Sequence, residues 1–365
     1  MKILITGAHF TPALATAEEL RKKGLDIVYV GRDTTLEGDN TQSVESKVIP
    51  SLGIKFIPIT TGRLQLAFTP YTILSLLKIP VGFIQAAVII LSEKPDVILS
   101  FGGYVAVPIV IVGWLFSIPI IVHEQTLVPG LANQISALFA NKIALSFKNG
   151  RVDERTIITG NPIRNMILDG GGLNRHRSTV LNKPLILITG GNQGSHTINK
   201  MVEECLTDLT KIANIIHVTG DNKFKDFERL ERLGELGGFG ERYVVRKWIG
   251  DEYGAILQKV DLVVSRAGIN TLSELAYMGK PALVIPFEPL YKDEQNKNAK
   301  YFENLGLVKI LPRYKLTGKS LLENIKMMLK NLDELKQKAK NAKKVIIPDA
   351  AKRLVLETIL LGKKM

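Results

Sequence analysis

Short apolar runs recur along this chain, separated by helical patterns, and that alternation restricts it to parallel α/β structure. Residues 3–5 form a first strand, and 12–24 a helix with Pro12 near its start and Gly24 at its end. Strands follow at 26–30, 97–100, 118–122 and 142–145. The pattern then restarts with strands at 184–188, 215–218, 243–246, 262–265 and 282–285. Gly170 to Asn174 reads as a loop near the boundary. After Lys344 the run 345–348 breaks the helical pattern, and Asp349 caps a final amphipathic helix, 350–361. A length of 365 residues suits two such domains. The expectation is two Rossmann-like, doubly wound parallel-sheet halves facing a cleft, with the loops after the strands at that cleft.

Composition narrows the partners. The net charge of +13 fits an anionic membrane surface or phosphorylated substrates, or a plain solvated lysine face such as 326–344. No aromatic-interleaved basic motif of a nucleic-acid module is present, so no nucleic-acid partner is expected. The single cysteine, Cys205, excludes an intrachain disulfide and a cysteine-rich metal site. The N-terminus runs straight into a strand without a secretory signal, which predicts a cytoplasmic protein. Residues 71–91, interrupted by Lys78, Pro80 and Gln85, read as core, with a bilayer-resting helix and a membrane span as alternatives. Residues 105–122 read as helix plus buried strand.

Five motifs carry chemistry. Thr6-Gly-Ala-His9 follows the first strand, and helix-start N–H groups there can hold anionic oxygens. His9 is placed to serve as a general base. Ser100-Phe-Gly-Gly-Tyr104 offers a second glycine turn, with Gly103 and Tyr104 as candidates. Gly190-Gly-Asn-Gln-Gly194 resembles a phosphate nest, with Gly191, Asn192 and Gln193 as candidates, but lacks the lysine of a Walker loop. His123-Glu-Gln-Thr126 places polar residues behind a buried strand, either as a site or as a hydrogen-bond network. Lastly, Arg266, Gly268, Ile269, Asn270, Thr271, Leu272, Ser273 and Glu274 make a strand-to-helix turn suited to a diphosphate. Asn270 or Thr271 caps that helix, and Thr271 to Glu274 has capping-box spacing. Asp293 to Asn298 supplies amides suited to sugar hydroxyls. Neither HExxH nor Asp-x-Asp occurs, so no metal or cofactor site is expected.

These motifs together resemble the MurG family, glycosyltransferase family 28, along nearly the whole chain. The match extends through Pro129-Gly-Leu-Ala-Asn133 and Gly160-Asn-Pro-Ile-Arg164 to Gln295 and Asn298. The resemblance implies a GT-B fold, with 1–164 plus 348–365 as the acceptor and membrane-associating domain and 165–347 as the donor domain. It implies a UDP-GlcNAc-dependent hexosyltransferase of peptidoglycan synthesis, and so of cell wall, cell shape and cell division. By position, the Ile249 backbone would meet the uracil, and Glu274 the ribose. Asn192 and Thr271 would lie near the diphosphate and Gln295 near the sugar. Arg164 would line the donor site, and Thr6, Gly7, Ala8 and Thr126 would close it. The acceptor would be an undecaprenyl-diphosphate-linked sugar at a peripheral, cytoplasmic membrane face, touched near residues 71–91. The sequence departs from the family at the first loop, where Ala8 replaces a glycine. It departs again at Thr126 and Asn192, where the family usually has asparagine and serine.

The reaction so implied is inverting, metal-independent transfer of GlcNAc to the MurNAc 4-hydroxyl of lipid I, giving lipid II. His9 is the first candidate base and Glu124 the second. The altered first loop keeps two other readings open: a related transferase with a different lipid acceptor, and a non-catalytic nucleotide-sugar-binding homologue. A nicotinamide oxidoreductase is disfavoured, since the three-glycine fingerprint is missing.

Overall fold

The computed structural model describes residues 1–34, 42–62, 70–148, 153–169, 183–191, 194–287 and 291–363. The Gly170 to Asn174 loop expected from the sequence lies outside them. Two compact units divide the chain: Met1–Arg164 with Ile347–Met365, and Asn165–Ile346.

The first unit runs β1 (Lys2–Thr6), α1 (Phe10–Lys22), β2 (Asp26–Gly31), α2 (Val44–Ser51), β3 (Lys55–Pro58), α3 (Pro70–Glu93), β4 (Val97–Ser100), α4 (Ala106–Leu115), β5 (Ile120–Glu124), α5 (Leu131–Phe139), β6 (Lys142–Leu145) and β7 (Thr156–Ile158). Its strands pair in parallel in the order β3-β2-β1-β4-β5-β6-β7. The second unit runs α6 (Asn165–Leu168), β8 (Leu185–Thr189), α7 (His196–Ile212), β9 (Asn214–Val218), α8 (Asp226–Leu236), β10 (Tyr243–Arg246), α9 (Tyr253–Lys259), β11 (Leu262–Ser265), α10 (Ile269–Met278), β12 (Ala282–Val284), α11 (Glu294–Asn304), β13 (Val308–Ile310), α12 (Gly318–Lys330) and α13 (Leu332–Ala339). Its parallel sheet has the order β10-β9-β8-β11-β12-β13. A last helix, α14 (Ala350–Lys363), belongs to the first unit and packs on α1 and β4.

The pleat explains the layers. Ile3 and Ile5 share a core with Ala13, Ala17 and Leu20 of α1 and with Leu354 and Val355 of α14. Leu4, one residue out of phase, joins Ile89 and Ile90 of α3 and Ile109 and Val110 of α4 on the opposite face. Each isoleucine, leucine or valine among them, fully buried, contributes roughly 1.5–3 kcal/mol. In both units the strand order reverses beside the first strand: β1 is flanked by β2 and β4, and β8 by β9 and β11. Loops leaving the carboxyl ends of those central strands are where doubly wound sheets bind ligands.

Three strands, β3, β7 and β13, escape the sequence pattern. They have three or four residues each, and Lys55 and Lys309 break their apolar runs. Strand β5 begins at Ile120, two residues later than its apolar run. The basic stretch 326–344 is not one helix; α12 and α13 meet at Asn331. The reading of 71–91 as core needs correction over 77–91. In α3, Ala86, Ile89 and Ile90 are buried, whereas Leu77, Val81, Ile84, Val88 and Leu91 are exposed. Their 4-3-4-3 spacing places them on one helix face. Among the described residues, no helix is long and apolar enough to cross a membrane.

Candidate active site

Three strand ends of the first unit converge. Ala8 N–H donates to the Gly102 carbonyl at 2.8 Å, and Phe101 N–H to Thr6 at 2.7 Å, joining the loops after β1 and β4. Gly103 has φ +81°, and a Cβ there would lie 2.6 Å from the Ala8 Cβ; a Cβ at Gly102 (φ +71°) would lie 2.0 Å from Asn133 Oδ1. Only glycine permits this turn and this approach. Gly7 directs its carbonyl to the Tyr29 hydroxyl, 3.4 Å away.

Asn133, in α5, is the hub that the candidate residues omit. Its Nδ2 donates to Glu124 Oε2 at 2.7 Å and approaches the His123 carbonyl at 3.3 Å. Thr126 N–H donates to Glu124 Oε1 at 2.8 Å, and the Thr126 hydroxyl lies 2.7 Å from the same oxygen. Burial raises the Glu124 pKa against these donors. The carboxylate thus fastens the β5 loop to α5. His123 is fully buried, with Nε2 donating to Gly160 O at 3.1 Å, and burial lowers its pKa to about 4. Among the described residues, Thr6 Oγ1, His123 Nδ1, Gln125 Oε1 and Asn133 Oδ1 are buried with no protein partner, a density of unmet polar atoms that marks a site for water or ligand.

His9 is the N-cap residue of α1, but its side chain makes no cap hydrogen bond. Burial, then the positive charge of Arg32, lowers its pKa to about 4. The imidazole is therefore neutral at pH 7 and able to accept a proton. Helix α4 and helix α5 likewise start without a side-chain cap.

The second unit repeats the arrangement. The Thr189 hydroxyl accepts from Gly191 N–H at 3.1 Å. Gly194 (φ +72°) presses on the loop after β9, where a Cβ would lie 1.9 Å from Thr219 O. Asn192 and Gln193 lie outside the described residues. Ser195 is the N-cap residue of α7, and its side chain makes no cap hydrogen bond.

Helix α10 corrects the capping expected from the sequence. Neither Asn270 nor Thr271 is the cap; Gly268 is, and it offers no side chain. The apolar face dictates the earlier start, because Ile269, Leu272 and Leu275 are all buried. Asn270 and Thr271 consequently fall in the first turn, and buried Glu274 in the second. Leu272 and Ser273 are not brought outward. Leu272 N–H bonds to the Gly268 carbonyl, and the Ser273 hydroxyl to the Ile269 carbonyl at 2.9 Å.

Arg266 stands before this helix start. Its guanidinium carbon lies 4.5 Å from the Phe287 ring centroid, burial lowers its pKa, and its Nε is buried with no hydrogen-bond partner among the described residues. Asn298 Nδ2 approaches the Ala267 carbonyl at 3.4 Å, and Gln295 Oε1 accepts from Phe287 N–H at 2.8 Å. Phe287 and Asn298 thus support Arg266 and its loop, a role that becomes visible only once α11 is packed. Ile249 is buried in the loop after β10, and Arg164 is the half-buried last residue of the first unit before Asn165. Among the described residues, no group of three His, Cys, Asp or Glu residues could hold a metal ion.

Comparisons with known proteins bear on this geometry. The glycosyltransferase family 28 N-terminal domain matches residues 6–145, and the C-terminal domain of that family matches 185–354. The UDP-N-acetylglucosamine–N-acetylmuramyl-(pentapeptide) pyrophosphoryl-undecaprenol N-acetylglucosamine transferase of Legionella pneumophila (strain Paris) is 32% identical over 348 residues, covering 93% of this chain and 90% of the relative. The enzyme of the same description from Clostridium kluyveri is 34% identical over 337 residues, covering 90% and 91%. The crystal structure of Acinetobacter baumannii MurG superposes with a TM-score of 0.69 at 23% identity, over 100% of this chain and 99% of that one. That likeness carries the GT-B fold.

Proposed function

The chain belongs to glycosyltransferase family 28, and we propose that it transfers GlcNAc from UDP-GlcNAc to the 4-hydroxyl of MurNAc in lipid I, forming the lipid II of peptidoglycan synthesis. Its relatives share that activity, which disfavours both a different lipid acceptor and a non-catalytic role. The observation that carries the donor reading is the pair of helix starts at the switch point of the second unit. Both α7 and α10 lack a side-chain cap, and Arg266 stands beside α10. The first-turn N–H groups of these helices and the guanidinium suit a diphosphate, whose charge grows as UDP leaves. This supports a metal-independent reaction. Glu274 would take the ribose hydroxyls, the Ile249 backbone the uracil, and the Gln295 amide nitrogen a sugar hydroxyl. Asn270 and Thr271 would flank the phosphates.

The first unit would hold the acceptor diphosphate near Thr6 to His9 and Gly102 to Tyr104. In the step itself the 4-hydroxyl oxygen attacks the anomeric carbon, the bond from that carbon to the UDP oxygen breaks, and the configuration inverts. The hydroxyl proton passes to neutral His9. Glu124 acts as a positioning residue, since its oxygens already accept from Thr126 and Asn133.

A lipid-linked acceptor fits peripheral attachment at the cytoplasmic membrane face. The exposed stripe of α3 supports that attachment, as do Trp114, Leu115 and Phe116 at the end of α4, which packs against α3. The net charge of +13 favours anionic lipid. The direct test is a radiolabelled UDP-GlcNAc assay with lipid I, with and without EDTA. Transfer undiminished by EDTA is expected; absence of transfer, or loss restored by magnesium, would overturn the corresponding part of the reading.

A further inference from the structure

The first unit holds an apolar cavity of about 190 Å³ between α3, α4 and α5, lined by Ile79, Phe83, Tyr104, Val107, Leu131 and Ile135 among others. We propose that this cavity binds the first isoprene units of the acceptor's polyprenyl chain, a reading that rests on the lipid I assignment above. An apolar cavity of roughly 150 Å³ holds a benzene-sized hydrocarbon, so this one takes roughly one to two five-carbon units.

The surroundings fit one end of an amphiphile. Tyr104 and Val107 flank the uncapped start of α4, and Leu131 and Ala132 lie at the uncapped start of α5. Helix starts suit the diphosphate, and hydrocarbon attached to it meets the cavity within one helical turn. On the far side, Ile79 and Phe83 belong to α3, whose exposed stripe begins with Leu77, Val81 and Ile84. A chain leaving the cavity past Ile79 and Phe83 stays on α3, the helix that carries that stripe. Most of the undecaprenyl chain would remain in the membrane, while its head end is drawn out of it.

The test uses two water-soluble lipid I analogues, one with a ten-carbon, two-isoprene chain and one with a methyl group on the diphosphate. The native enzyme should show a KM about tenfold or more lower for the ten-carbon acceptor. Ile135→Phe fills the cavity from α5, more than a turn beyond that helix's start, and should abolish most of that difference. Its KM for the methyl acceptor and for UDP-GlcNAc should stay within about twofold of native, as expected where no donor contact changes. Phe83→Trp fills the cavity from α3 and serves if the first variant does not fold. Equal native KM values, or variants that raise both acceptor KM values alike, would overturn the cavity assignment alone. No transfer to either acceptor would instead overturn the lipid I reading on which it rests.

Discussion

Two ionisable residues near the joined loops of the first unit divide the work by their environments. His9 carries its pKa near 4 because burial and Arg32 both oppose the imidazolium. A base so tuned stays free of protons from pH 5 upward. The acid limb of kcat/KM, which reports the free enzyme, should therefore fall near pH 4, not near the 6.5 of an unperturbed histidine, and His9→Ala should lower kcat by about 10²–10⁴-fold. Steady-state kinetics over pH 4–8 checks both points, and unchanged turnover in the variant would remove His9 as the base. Glu124 behaves differently. Glu124→Gln replaces an acceptor with a donor facing Asn133 Nδ2 or Thr126 N–H, leaving a buried mismatch of about 1–3 kcal/mol. Thermal denaturation should show that loss, and acceptor KM should rise while donor KM stays. Glu274→Ala should show the converse pattern, raising KM for UDP-GlcNAc by roughly 10- to 100-fold, the worth of a charged hydrogen bond. A donor KM unaffected by that change would sink the ribose assignment.

At the level of elements, the helix starts decide what each unit can hold. Gly268 caps α10 with φ −72° and ψ 132°, and a Cβ there would meet nothing within 4 Å. Gly268→Asp can therefore be accommodated, and its carboxylate would accept from the first-turn N–H groups. Stability should rise by a few tenths of a kcal/mol, the usual gain of aspartate over glycine at a cap. The same carboxylate would occupy and repel the site proposed for the diphosphate. A slightly higher Tm together with at least about tenfold higher KM for UDP-GlcNAc is expected; a raised Tm with unchanged KM would place the diphosphate elsewhere. Capping is also where the sequence misleads. Thr271-Leu-Ser-Glu274 has the spacing of a capping box, and only the burial of Ile269 shows that the helix has already begun. The long apolar strands and the glycine turns after them are legible because period and turn chemistry are local properties. Asn133, Phe287 and Asn298 are not legible in that way, since each matters through a neighbour distant in sequence. Helix α3 illustrates the same limit. Its composition is apolar throughout, and packing alone determines that Ile84 and Val88 face outward while Ala86 and Ile90 do not. Ile84→Glu with Val88→Glu should leave Tm nearly unchanged and weaken sedimentation with anionic vesicles.

The whole molecule couples its two units to pH through histidines that folding holds neutral. His123 lies in the first unit and His217 in the second, both fully buried. Burial lowers their pKa values to about 4 and about 3, and His9 to about 4. His217 is fixed between the Tyr243 hydroxyl at 2.8 Å and Asn199 Oδ1 at 3.0 Å, so its Nε2 carries the proton and its Nδ1 accepts. In the unfolded chain these rings titrate near 6.5. Below that pH the unfolded state binds protons that the folded state refuses, and stability falls as pH falls. Each fully buried ring contributes a slope on the order of 1.4 kcal/mol per pH unit between 6.5 and its folded value. Glu124, with its pKa raised, opposes this in part of the same window. The depressed carboxylates Glu93, Asp226 and Asp261 add their losses only below their unfolded values, near 4. Urea unfolding at pH 7, 6 and 5 should therefore show midpoints that decline before any depressed carboxylate protonates. Because each unit carries one such buried histidine, the decline should appear in both transitions if the units unfold separately. A midpoint constant from pH 7 to 5 in the second unit's transition would mean that His217 is charged, or exposed, in the folded state.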